Sequence, residues 1–167
     1  VANIKALGFR IEDVKVILNS HAHWDHAGGI AALQRASGAT VVASASGALG
    51  LQSGTNGKDD PQYQADPVVH VAKVAKVKVV GEGDTVKVGP LVLTAHMTPG
   101  HTPGGTTWTW TSCEGARCLN VVYADSLNPY ASGDFSYTGK GKTPDISASF
   151  EASIAKVAAL PCDIIIP

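Results

Sequence analysis

Apolar positions along this chain change spacing several times, and the changes divide it into elements. Residues 14–18, Val-Lys-Val-Ile-Leu, are β-branched and mostly apolar, which predicts a buried strand. Residues 30–36 carry helical spacing that Gly38 ends, and residues 40–43 predict a second strand. Strand, loop, helix, strand is the α/β pattern, in which ligands gather at the carboxyl ends of strands. Before it, residues 1–9 read as the last turns of a helix closed by Gly8. After it, residues 44–67 are rich in Gly, Ser, Asn, Asp and Pro, with Asn56-Gly57 and Asp60-Pro61 as breakers and a short helix at 47–51. A loop of this length is either functional or a solvated excursion.

Residues 68–80 interleave valine and lysine, as a sheet edge with one wet face does. Residues 84–88 and 91–94 form a hairpin around Gly89-Pro90, with His70 and His96 as ordinary strand or rim histidines. Trp108 and Trp110 alternate with threonines, so both indoles share one strand face and pack in a core. Residues 119–123 predict a further buried strand. Residues 145–160 predict a helix with Phe150, Ile154, Val157 and Leu160 on one face. Pro161 breaks it before a strand at 162–167.

The length of 167 residues and a hydrophobic content of 44% fit one globular domain. A net charge of −1 and few aromatics (6%) give no electrostatic or stacking reason to expect nucleic acid or an anionic membrane as partner. No apolar run approaches a membrane span. Cys113 and Cys118 flank Glu-Gly-Ala-Arg between two strand-like runs, where a hairpin brings them within disulfide range. Two thiols are too few for a zinc site of their own. A disulfide there implies an oxidising compartment, with Cys162 left over.

The densest chemistry lies at His21-Ala22-His23-Trp24-Asp25-His26-Ala27-Gly28-Gly29, directly after the first strand. Imidazole and carboxylate together suit zinc. In an extended exit from the strand, His21 and His23 point the same way, while Asp25 and His26, at the turn into a helix, point elsewhere. So many ligands so close together close poorly on one tetrahedral ion and favour two neighbouring metals. A helix cap, the plain alternative, needs one polar side chain and not four.

This stretch resembles the zinc motif of the metallo-β-lactamase superfamily. Thr98-Pro99-Gly100-His101-Thr102-Pro103-Gly104-Gly105-Thr106-Thr107-Trp108-Thr109-Trp110 and Tyr123-Ala124-Asp125-Ser126-Leu127 resemble its subclass B3. The resemblance implies a four-layered αββα sandwich, two sheets flanked by helices, and hydrolysis of a small β-lactam by zinc-activated water, conferring antibiotic resistance. It implies two zinc ions, one on His21, His23 and His101, the other on Asp25 and His26, with Asp25 also orienting the water. It gives Ser126 a substrate or water contact, treats Asp125 as structural, and places Asn128 where a drug carboxylate is held. A monomer in the periplasm or outside the cell is the corresponding expectation.

Other hydrolases of the superfamily share the zinc cluster: glyoxalase II-like thioesterases, lactonases and phosphodiesterases. In many of them an aspartate near position 125 bridges both metals. A catalytically silent zinc-binding protein is a further alternative. The resemblance also implies strands before Val1, a signal peptide outside this stretch, and a last metal-binding histidine after Pro167. On that reading residues 1–167 are one domain truncated at both ends, and the sandwich and second metal site are incomplete.

Overall fold

The computed structural model describes residues 1–63, 70–141 and 143–167. Residues 64–67 of the polar stretch, 68 and 69 of the valine-lysine run, and 142 lie outside the described residues. The elements are α1 (Ala2–Ala6), β1 (Val16–Leu18), α2 (Trp24–Ala27), α3 (Ile30–Ser37), β2 (Thr40–Ser44), α4 (Ala45–Ser53) and β3 (Val77–Val80). They continue with β4 (Thr85–Val88), β5 (Leu91–Met97), β6 (Thr106–Glu114), β7 (Arg117–Tyr123), α5 (Ser147–Ala158) and β8 (Ile164–Ile166). One sheet runs β1-β2-β3, all parallel. The other runs β4-β5-β6-β7-β8, antiparallel until β8 joins β7 in parallel.

The alternation of strand side chains builds the layers. Ile17, Val41, Ala43 and Val77 face one way, onto Ala27, Ile30, Ala31, Ala48 and Leu51 of the helices. Val16, Leu18, Val42 and Val80 face the other way, onto Val86, Ala95, Trp108 and Tyr123 of the second sheet. Val122 turns outward again beneath Val157 of α5. Helices, sheet, sheet and helix therefore stack in that order, the layered α/β sandwich that the sequence resemblance implies.

Three expectations need adjustment. The stretch after Ser44 holds nine helical residues, because the Ser44 hydroxyl caps α4 by accepting from the Gly47 amide at 3.1 Å and Leu51 is fully buried. In α5, Phe150 and Val157 are buried, but Ile154 is 41% exposed and Ser153 takes the inner place. Its hydroxyl donates to the Pro99 carbonyl at 2.7 Å, so polar satisfaction outweighs apolar spacing there. Trp108 is fully buried as expected, whereas Trp110, two residues along the same face, lies only half-buried beyond the inter-sheet core. The valine-lysine strand β3 is indeed a sheet edge. Cys113 and Cys118 are cross-strand partners at the β6–β7 turn and are disulfide-bonded, while Cys162 is a free, exposed thiol.

Candidate metal centre

Two chain segments carry the metal-type side chains to one end of the sandwich. β1 stops at Leu18, and the Asn19 carboxamide holds the turn by donating to the His21 carbonyl at 2.5 Å. His23 is extended (φ −66°, ψ 154°) and caps α2, so Asp25 and His26 enter on its short turn. His101 comes from the β5–β6 connection. That loop is held tightly: Gly105 packs where a Cβ would lie 2.6 Å from an Asp125 carboxylate oxygen and closer still to the Thr98 carbonyl. Any larger residue at 105 pushes on both walls.

The imidazoles converge. His21 lies edge-on to His23 with ring centroids 4.7 Å apart, and His101 is 5.0 Å from each. One nitrogen from each of these rings lies within 4.8 Å of the others. His21, Asp25 and His26 form a second such group, with the His21 and His26 rings 3.9 Å apart. Asp25 and His26 thus do not point away from the first pair; both groups meet at His21. His70 and His96 take part in neither, and His96 bonds Thr109 at 2.8 Å on the second sheet.

Each ring of the first group is tied to a carboxylate or carbonyl at one nitrogen. His21 Nδ1 bonds the buried Asp125 carboxylate at 2.7 Å. His101 Nδ1–H donates to the Asn128 carbonyl at 3.0 Å. His23 Nε2 meets both Asp60 carboxylate oxygens, at 3.0 and 3.2 Å. The Gln62 amide reaches the opposite faces, 3.1 Å from His101 Nε2 and 3.5 Å from His23 Nδ1. His21 Nε2 remains buried without a partner, a nitrogen lone pair aimed at something the protein does not supply. With three imidazoles beside a carboxylate and a fourth imidazole, this donor set fits zinc.

A cavity of about 530 Å³ opens over these groups, lined by His23, Asp25, His26, His101, Ser126 and Asn128 among others. Asp125 does not face it; its carboxylate points to His21. Asp60 and Gln62 had been legible only as loop residues, the first as half of a breaker pair. The one available signal was their place in a long loop that α/β topology brings to the carboxyl ends of strands.

Burial lowers the pKa of both His26 and His101 from 6.5, His21 reinforcing the shift at each and the Asn128 carbonyl opposing it at His101. Both rings are therefore neutral, and able to ligate, at neutral pH. In the metal-free chain the sign follows. As pH falls below 6.5 the unfolded chain takes up protons that these folded rings refuse until lower pH, so stability is lost on acidification. Thermal unfolding of the metal-free chain between about pH 7.5 and about pH 5 should show a falling Tm, and a rising one would contradict this assignment.

The chain matches the family model described as Metallo-beta-lactamase superfamily over residues 2–114. Among solved structures it is similar to Rm3 metallo-beta-lactamase, at 54% identity and a TM-score of 0.94, over 99% of this chain and 61% of that one. It is similar to MEM-A1, a subclass B3 metallo-beta-lactamase isolated from a soil metagenome library, at 52% identity and a TM-score of 0.93, over 99% of this chain and 62% of that one. Among curated proteins, a hydroxyacylglutathione hydrolase of Anaeromyxobacter dehalogenans (strain 2CP-C) is 35% identical over 94 residues, 56% of this chain and 28% of that protein. The chain thus spans less than two thirds of the length of each of these relatives.

Proposed function

This chain belongs to the metallo-β-lactamase superfamily, and we propose that the protein it represents is a zinc-dependent β-lactam hydrolase of subclass B3. The observation that carries the reading is the pair of ligand groups meeting at His21 beneath an open cavity. His21, His23 and His101 would hold one zinc ion, and Asp25 and His26 would hold a second. Bound zinc supplies Lewis acidity, polarising a carbonyl and bringing the pKa of water from about 15.7 toward about 7.

The side chains do the remaining work. Asp25, on the exposed side of α2, faces the cavity, where its carboxylate orients a water toward a bound amide. Ser126 and Asn128 line the same cavity and offer hydrogen bonds to a substrate carboxylate or carbonyl. The volume, about 530 Å³, lies within the range of about 300–1,000 Å³ typical of small-molecule sites. On this reading the substrate is a penicillin, cephalosporin or carbapenem, opened at its ring amide. Such an enzyme confers antibiotic resistance, works as a monomer, and acts in the periplasm or outside the cell, where the Cys113–Cys118 disulfide persists.

Thioester hydrolysis is the second reading, favoured by likeness to hydroxyacylglutathione hydrolases. Against it stands Asp125, which bonds His21 rather than joining either group of potential ligands among the described residues.

The deciding assay takes the protein carrying this chain in full, loads it with zinc, and follows β-lactam absorbance beside a hydroxyacyl-glutathione thioester. Cleavage of the lactam, abolished by a chelator and restored by zinc, is expected. A protein that holds two zinc ions yet leaves every β-lactam intact would falsify the proposal.

A further inference from the structure

We propose that Asp60 is a positioning residue for the first metal: its carboxylate selects the nitrogen that His23 presents to the cavity. The inference rests on the zinc-hydrolase reading and adds a residue from outside the histidine motif. Asp60 is 6% exposed, and the contacts its side chain makes are with His23 Nε2, at 3.0 and 3.2 Å, and with the backbone N–H of Gln62, at 2.8 Å. A buried carboxylate is costly unless its oxygens are satisfied. Both of these are satisfied by groups of the site itself.

The consequence is a choice of tautomer. A proton held on Nε2 by Asp60 leaves a lone pair on Nδ1, which only the long 3.5 Å approach of the Gln62 side chain meets. His21 and His101 are tied the other way round, at Nδ1, to Asp125 and to the Asn128 carbonyl. With Asp60 included, every ring of the first group has an anchor on its far side. A ligand imidazole held this way is oriented before metal arrives and is more basic when it binds.

Asp60 is itself held in place. Pro61 follows it, and the Pro61 carbonyl accepts from the Ser132 amide at 2.9 Å. That bond joins the Asp60–Gln62 turn to the chain beyond Asn128, which anchors His101. The His23 and His101 supports are therefore one connected unit across the cavity. Burial and the nearby Asp60 charge push the Tyr137 phenol up to about 12.

The test is zinc affinity by chelator competition on the full protein, comparing the native form, Asp60→Asn and Asp59→Asn. Asp59 is the exposed neighbour, so its variant removes the same charge without the contact. Asp60→Asn should bind the first zinc about 10–100-fold more weakly, the range for loss of an outer partner of a metal ligand, while Asp59→Asn matches the native form. The cobalt(II)-substituted protein should show a shifted ligand-field spectrum only for Asp60→Asn. Equal affinity in Asp60→Asn and native protein overturns the inference and leaves the zinc reading standing. A native protein that takes up no zinc overturns both. A second measurement needs no variant: ¹⁵N NMR of the metal-free native protein should find the His23 proton on Nε2, and a proton on Nδ1 refutes the selection.

Discussion

Replacing His21 with alanine is expected to cost the first zinc its most buried ligand and to reduce turnover by more than about 100-fold, the upper range for loss of a mere outer partner. The reason is topological. His21 is fully buried, contributes to both groups of potential ligands, and carries the orphaned Nε2 between them. Loss of His23 or His101 leaves the second group intact, and loss of His26 leaves the first. His21→Ala also strands the Asp125 carboxylate, whose 2.7 Å bond to the ring is gone. Asp125→Asn separates the two effects, because it keeps the ring and alters only its anchor; a decline of about 10–100-fold is expected there. Metal content measured beside turnover checks the assignment. A His21→Ala protein that retains two zinc ions and near-native turnover would sink the assignment of His21 to the first zinc.

The largest effect on stability is expected at Trp108. Its side chain is fully buried between the two sheets, packed with Val42, Val80, Val86 and Ala95. Truncation to alanine should cost about 3–5 kcal/mol, the range for a large aromatic lost from a packed core. The indole also donates to the Asn19 carbonyl at 3.1 Å, two residues before His21. Trp108→Phe keeps most of the volume and leaves that carbonyl unpaired, at a cost of about 1–3 kcal/mol. Urea unfolding of the three proteins measures both differences. Because the Asn19 turn sets the exit toward His21, Trp108→Phe should also weaken zinc binding. Native-like stability in Trp108→Ala would show that the two sheets do not depend on this contact.

What was legible in the chain follows the range of the interactions. The cluster from His21 to His26 is local, so its spacing and the strand before it announced metal chemistry directly. The same holds for β4 and β5 around Gly89-Pro90, and for Cys113 and Cys118, whose pairing needs only the β6–β7 turn. His101 was reached through its family-like loop and not through periodicity, since a single histidine carries no period. Ile154 misled for a related reason. Helical spacing marks an apolar residue but says nothing of the Pro99 carbonyl that draws Ser153 inward.

The α/β alternation and the ligands from His21 to His26 thus came from the linear pattern, because burial alternates with the backbone's own period and neighbouring ligands need no fold to meet, whereas the layered two-sheet arrangement and His101 came from the family resemblance. Folding alone decided how the ligands are held. Asp125 lies 104 residues from His21, Asp60 lies 37 from His23, and Asn128 lies 27 from His101. At such separations no local preference links the partners. They meet because two sheets close on Trp108 and carry their loops to one end, where each buried ring nitrogen must find a partner or remain unsatisfied.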